Sequence, residues 1–398
     1  MTLLLNILGI FVVIGGLYLF SENKNKVDKK LILKALLVQF VLAFLLVKFP
    51  LGRNVVKVTS DFVTNVLNYG FEGVSFVFGS LADGSTGYIF AISVLANIVF
   101  IAALVAALYY LGVINVIVSF IGGAIQIIFG TSRVESFVAV ANMFLGQTES
   151  PILVSKYLHA MTRSELLFVL VSGMGSMSAT VLMGYVGMGI PMEYLLIAGA
   201  LVPLSSIIVS KLLIPESDKE ATVKEVVMDR KGGHTNIMSA ISEGATNGMQ
   251  MALGIGASLI AITGLVALVN GALGLVGLSL QQILSYLFAP LAYLMGINPD
   301  HVLTAGQLLG SKMVLNEFVA FGDLGKLISS FDYRTGIIIA IALAGFANIS
   351  SIGICISGIS IFCPERRAEI SDIAFKGMLG GFIVSTLSAM IVGLLLIF

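Results

Sequence analysis

The chain has 398 residues, of which 22 are basic and 22 acidic, while 58% are hydrophobic and the mean hydropathy is +1.03. A soluble protein carries roughly 25% charged residues, so a chain at 11% cannot cover itself in water, and a soluble multidomain enzyme is excluded. Balanced charge without a basic run excludes a nucleic-acid partner, and the lack of alternating segments of about ten residues excludes an outer-membrane barrel.

What remains is an all-α polytopic membrane protein. A span needs roughly 20 apolar residues, and Tyr88–Ile128 and Ala245–Pro299 contain no charged side chain at all. The first apolar run, 3–20, lacks a basic leader and a small-residue cleavage site and reads as a retained span. A second span follows at 31–49. Residues 53–80, with Arg53, Lys57, Asp61 and Glu72 spread along an amphipathic stretch, read as an interfacial helix. Further spans are expected at 88–111, 165–190, 193–214, 247–272, 335–360 and 373–397, eight in all. Two half-polar segments, 131–160 and 300–325, sit among these spans and read as re-entrant helical hairpins. The longest hydrophilic connection, 215–244, reads as a solvated cytoplasmic loop.

With the amino terminus outside, 16 of the 22 basic residues fall on the cytoplasmic side. The other 6 (Lys48, Arg53, Lys57, Lys312, Lys326 and Arg334) fall outside. By the positive-inside rule the protein is multi-pass in the cytoplasmic (inner) membrane with both termini extracytoplasmic.

The two hairpin segments resemble each other. In the first, Glu149 follows Gly146-Gln147-Thr148, Arg163 comes next, and Gly173-Met174-Gly175-Ser176-Met177-Ser178 interrupts the following helix. In the second, Glu317 follows Asn316, Arg334 comes next, and Gly345-Phe346-Ala347-Asn348-Ile349-Ser350-Ser351 interrupts the helix. The orientation makes the two units inverted copies. Inverted repeats with broken helices are the architecture of secondary transporters, which bind at the repeat interface near the midplane.

A carboxylate at membrane depth costs at least a few kcal/mol, so Glu149 and Glu317 need a reason to be there. Hairpin tips supply one by gathering Gln147, Thr148 and Glu149 from one side and Asn316 and Glu317 from the other. Ser176, Ser178, Asn348, Ser350 and Ser351 would form the facing wall. This set is rich in acceptors and has no convergent basic residue, which suits a neutral polyhydroxylated solute: carboxylates for sugar hydroxyls, amides for a base edge. Val181 and Phe346 could pack on a planar ring. Glu135 and Glu193, near expected interfaces, read as satisfied surface or hairpin-base groups, and His159, His234 and His301 as residues without a proton-carrying role. Cys355 and Cys363 read as inert packing. A passive channel would need a continuous polar stripe. An intramembrane enzyme would need a metal motif, a nucleophile elbow or a cofactor fingerprint beside its glutamates. The chain offers none of these, so neither an enzyme nor a cofactor is expected.

At these residues the chain resembles the concentrative nucleoside transporters, the family that includes bacterial permeases of the NupC type. The resemblance spans nearly the whole length. It is carried by Phe76-Val77-Phe78-Gly79-Ser80-Leu81, Glu135-Ser136-Phe137, Gly146-Gln147-Thr148-Glu149, Asn316-Glu317-Phe318-Val319-Ala320 and Gly345-Phe346-Ala347-Asn348-Ile349-Ser350-Ser351-Ile352.

The resemblance implies a homotrimer that imports nucleosides of the uridine, adenosine and inosine class by elevator-type alternating access. It divides the chain into N-terminal scaffold helices (1–111), a first transport repeat (131–214), the loop (215–244), a scaffold helix with an interfacial segment (247–299) and a second transport repeat (300–398). It sets Gln147, Thr148, Glu149 and Val181 against the nucleobase, Glu317, Asn348 and Ser351 against the ribose, and Phe346 as apolar lining. It also implies a sodium site built by Asn142 and Ser176, with backbone groups of Leu145, Ser176 and Met177. Neutral oxygens of this kind suit a hard monovalent cation. Proton coupling through a buried glutamate is the alternative.

Overall fold

The computed structural model describes residues 2–82, 85, 87, 89–147, 149–218, 220–223 and 234–397, apart from the side chains of Leu67 and Ile152. Among the described residues every regular element is helical. In chain order come α1 (Thr2–Leu19), α2 (Lys29–Val47), α3 (Pro50–Phe78), α4 (Asn97–Tyr110), α5 (Val113–Phe129), α6 (Arg133–Ala141) and the short α7 (Ser150–Leu153). They are followed by α8 (Arg163–Gly175), α9 (Ala179–Gly187), α10 (Met192–Leu213), α11 (Ile237–Gly274) and α12 (Leu280–Leu294). The chain closes with α13 (Val302–Val314), α14 (Glu317–Leu327), α15 (Tyr333–Leu343), α16 (Ile349–Ser360) and α17 (Arg367–Leu395).

Among the described residues seven helical segments are long and apolar enough to cross a membrane: Thr2–Leu19, Lys29–Val47, Ala91–Tyr110, Arg163–Gly187, Met192–Leu213, Ile237–Gly274 and Pro364–Leu395. The eighth apolar segment, expected at 335–360, is the pair α15 and α16, each too short alone. The chain is therefore a multi-pass membrane protein. The interfacial stretch expected at 53–80 is α3, started by Pro50 at a position whose N–H has no helical partner anyway. Residues 237–244, expected in the loop, are the first turns of α11; Asn236 caps them by accepting from the Ser239 N–H at 2.9 Å. The helix α5 occupies a stretch that the periodicity left unassigned, set off from α4 by Gly112 at φ +80°.

The core lies where α8, α10, α15 and α17 pack together, and these four are almost wholly buried. By contrast α11, which packs mainly on α4, exposes apolar side chains such as Leu253, Ile260 and Leu268. A helix that is apolar all round suits a lipid or protein environment. At one end, Arg163 opens α8 and is bonded to Glu22 at 3.1 Å and Asp372 at 2.5 Å, and Lys376 also meets Glu22 at 2.5 Å. Partial burial pushes the Glu22 carboxyl up, but Arg163 and Lys376 outweigh it and hold the group below its ordinary value.

Both expected helix breaks are present and they cross. The first separates α8 from α9 at Ser176–Ser178, the second α15 from α16 at Ala344–Asn348. The Phe346 N–H donates to the Ser176 carbonyl at 3.2 Å. Gly345 makes this crossing possible: its φ is +111°, and a Cβ there would lie 2.7 Å from the Gly175 carbonyl oxygen. Gly345→Ala is therefore expected to cost about 1–3 kcal/mol, read as a lower Tm of the detergent-solubilised protein. Gly15→Ala, inside α1 with no described atom outside its own helix within 4 Å of the added carbon, should leave Tm unchanged or slightly higher; equal Tm values for the two variants would contradict this account of the crossing.

Candidate functional site

The first hairpin rises through α6 and returns through α7 and a 3-10 turn at Ser155–Tyr157. Its base is fixed by sequence chemistry. Ser132 and Glu135 form a reciprocal capping box on α6, in which the Ser132 hydroxyl accepts from the Glu135 N–H and the Glu135 carboxylate accepts from the Ser132 N–H. The Glu135 carboxylate also pairs with Lys211 of α10, whose ammonium donates to Ser164 at 2.9 Å. Glu135 is thus a hairpin-base group, as expected, yet it is 1% exposed rather than interfacial. The second hairpin, α13 and α14, turns at Leu315–Asn316, and Asn316 caps α14 by accepting from the Val319 N–H at 2.9 Å.

The tips of both hairpins and the two helix breaks close on a cavity of about 270 Å³. Gln147, Glu149, Val181, Glu317, Phe346, Asn348 and Ser351 all line it, together with Ser178, Asn316 and Ser350. Thr148 lies outside the described residues. Gln147 donates from Nε2 to the Ser351 hydroxyl at 3.1 Å, and Asn348 donates from Nδ2 to Glu317 Oε2 at 3.0 Å. The Asn348 Oδ1 accepts from the Ser351 N–H at 3.0 Å and the Ser350 hydroxyl at 2.6 Å. Glu149 accepts the Gly146 N–H at 2.9 Å, which closes the first tip on itself.

Three half-helices begin at this cavity: Ser178 caps α9, Asn316 caps α14 and Asn348 caps α16. Helix N-termini carry partial positive charge, worth about 0.3–1 kcal/mol each for a nearby anion at a surface and up to about 2 when partly buried. They explain how Glu317, the first residue of α14, is accommodated at 4% exposure.

The four residues expected to hold sodium come together beside the first tip. Asn142, the C-cap of α6, has no exposed surface. Its Nδ2 donates to Ser172 of α8 at 3.0 Å, while its Oδ1 has no hydrogen-bond partner among the described residues. The Ala179 N–H donates to the Phe144 carbonyl at 3.0 Å, joining the turn that holds Leu145 to the break that holds Ser176 and Met177. The Ser176 hydroxyl donates to the Gly173 carbonyl at 3.0 Å and keeps its lone pairs. An orphaned buried oxygen beside a hydroxyl and interrupted backbone fits a small hard cation.

Several participants were not legible in advance. The cavity's remaining wall is α11, through Met251, Gly254, Ile255, Ser258 and Leu259. Cys355, expected as inert packing, donates from Sγ to Gln147 Oε1 at 3.4 Å and so orients that amide. Among the described residues no basic side chain lines the cavity, but the charge count is corrected at Lys312. Counted among the outside charges, it is fully buried in the second hairpin, because the hairpin re-enters the protein core. Glu193 lies in the first turn of α10, and neither it nor any of the three histidines lines the cavity.

The fold and cavity define an all-α polytopic membrane transporter. Residues 8–81 match the family description "Na+ dependent nucleoside transporter N-terminus", 91–192 "Nucleoside recognition", and 194–393 "Na+ dependent nucleoside transporter C-terminus". The chain is 38% identical over 411 residues to the nucleoside permease NupC of Helicobacter pylori, covering 98% of this chain and 97% of that one. It is similar to the solved structure of CNTnw in an inward-facing, substrate-bound state, with TM-score 0.95 and 38% identity over 100% of this chain and 99% of that one. It is also similar to a CNTnw variant in an outward-facing state, with TM-score 0.93 and 37% identity over 99% and 98% of the two chains. The chain belongs to the Na+-dependent, concentrative nucleoside transporter family, a family of transporters and not of enzymes.

Removing one partner of a buried ion pair costs about 3–5 kcal/mol, whereas replacing both is far milder. Glu135→Gln and Lys211→Met should therefore each lower Tm steeply, and the double variant should recover most of the loss. Full activity and stability in either single variant would show that the hairpin base does not depend on the pair.

Proposed function

We propose that this protein is a sodium-coupled nucleoside importer of the cytoplasmic membrane, working by alternating access. The observation that carries the reading is the cavity itself. Two inverted hairpins bring Gln147 and Glu149 from one side and Glu317 from the other to a common space with the broken helices. Carboxylates, amides and hydroxyls there match the donors of a neutral polyhydroxylated solute, and a site built to bond such groups rejects analogues that lack them. In this reading Gln147, Thr148, Glu149 and Val181 face the nucleobase, Glu317, Asn348 and Ser351 hold the ribose, and Phe346 lines the ring. Asn142, Leu145, Ser176 and Met177 take the sodium ion. Support for the ion comes from the Asn142 oxygen, which has no partner among the described residues, and from the family description, which names Na+.

Proton coupling is the second reading, favoured by the burial of the Glu317 carboxylate in the cavity wall. For the movement, we infer an elevator-type displacement of the hairpin-bearing part against α11. That α11 forms one wall of the cavity, and that CNTnw has been captured in inward-facing and outward-facing states, supports this reading. We take the working unit to be a homotrimer with both termini outside.

The test is initial-rate uptake of labelled uridine by purified variants in proteoliposomes. Glu149→Gln and Glu317→Gln are each expected to lower uptake at least about 100-fold, the scale of losing a charge-assisted bond set of about 3 kcal/mol, with assembly intact by size-exclusion chromatography. Asn142→Ala should raise the sodium concentration for half-maximal uptake. Parental uptake in both glutamate variants would sink the site.

A further inference from the structure

Beside the first hairpin lies the Asn142 oxygen, without a partner among the described residues; inside the second lies a lysine ammonium. Lys312 sits in the last turn of α13, four residues before Asn316, with no exposed surface. Its ammonium donates to the Ala342 carbonyl at 2.8 Å, the Ala344 carbonyl at 3.0 Å and the Ser385 hydroxyl at 2.7 Å. It also lies 5.3 Å from the centre of the Phe382 ring. Three oxygens thus take all three ammonium protons. Ala342 and Ala344 end α15, where the carbonyls lose their helical N–H partners and partial negative charge collects.

The two repeats can be aligned on the caps of their second half-helices, Ser178 for α9 and Asn348 for α16. Six residues before each cap stand Ser172 and Ala342. In the first repeat Ser172 is reached by Asn142 from the rising arm of its hairpin; in the second Ala342 is reached by Lys312 from the rising arm of the other. Corresponding places in the inverted copies therefore hold a neutral amide with a spare oxygen and a fixed ammonium.

We propose that Lys312 is a tethered cation, occupying in the second repeat the position that an exchangeable cation takes beside Asn142 in the first. The exchangeable half of this statement rests on the sodium reading above; the Lys312 half stands on its own geometry. Each hairpin then sets one positive charge against one glutamate, Lys312 with Glu317 and the ion with Glu149, and only the second charge comes and goes. The loaded hairpin pair crosses the bilayer without net charge, and the empty pair returns with one negative charge. Because unbalanced charge at membrane depth is costly, the tether removes one binding event from each cycle while keeping the second hairpin neutral.

The Lys312→Ser substitution leaves two carbonyls and two hydroxyls around a space the size of the ammonium, an oxygen set suited to Na+. The experiment is the Tm of the detergent-solubilised full chain against sodium concentration, with choline chloride holding ionic strength constant. The slope of stability with the logarithm of sodium concentration reports the number of ions bound. Lys312→Ser is expected to bind one more sodium ion than the parent, giving about twice the slope where the parent binds one. Lys312→Met, whose side chain fills the space, should gain none. A Lys312→Ser slope equal to the parent's, or a gain in Lys312→Met, would overturn the proposal. A flat parent with a slope of one ion in Lys312→Ser would overturn the exchangeable half at Asn142 and support only the Lys312 half. Should Lys312→Ser aggregate in choline, the proposal requires that sodium restore a monodisperse species; aggregation in both salts would overturn it.

Discussion

Around the bond from the Phe346 N–H to the Ser176 carbonyl, two interrupted helices cross in the middle of an apolar protein. Every unpaired backbone group at that depth costs several kcal/mol, so a break survives only where other protein groups cover it. Each break covers part of the other. The hairpin tips complete the cover, as where the Phe144 carbonyl accepts the Ala179 N–H and where Gln147 reaches Ser351. The Glu149 and Glu317 carboxylates line the cavity that results, the first accepting the Gly146 N–H and the second the Asn348 amide, and in the proposed reading a solute is received there and an ion at the Asn142 oxygen.

Electrostatics follow from the same cuts. Breaking α8–α9 and α15–α16 creates two helix N-termini in the interior, and the turn of the second hairpin adds a third at Glu317. These ends favour anionic side chains, while the buried carbonyl end of α15 favours a cation, which Lys312 supplies. Charge of each sign therefore sits where the backbone calls for it. The capping residues Ser178, Asn316 and Asn348 serve twice, since they start the three half-helices and also line the cavity.

Glu149 and Glu317 were legible in the sequence because a carboxylate within an apolar run is conspicuous, and the adjoining Gln147 and Asn316 made the repeat visible. The broken helices were legible for a similar reason: small and polar residues such as Gly175, Ser176, Gly345 and Asn348 interrupt otherwise apolar spans. The contribution of α11 was hidden, because Met251, Ile255 and Leu259 look no different from lipid-facing residues until the fold sets them opposite the hairpins. Lys312 was misplaced by a rule that counts basic residues by loop. A re-entrant arm passes for a loop in charge counting, yet here it enters the core and buries its lysine against α15 and α17. The start of α11 was set too late because Glu243 made its first turns look solvated, although Asn236 caps them.

The account's central claim is that one cavity, formed where two inverted hairpins meet, concentrates nucleosides by consuming an ion gradient. Its most direct test is accumulation of labelled uridine and inosine in proteoliposomes holding the unmodified chain under a sodium gradient, a proton gradient or neither. The account predicts accumulation above equilibrium under the sodium gradient alone. Accumulation driven only by protons would move the coupling to a glutamate. Equilibration without accumulation under every gradient would contradict the claim.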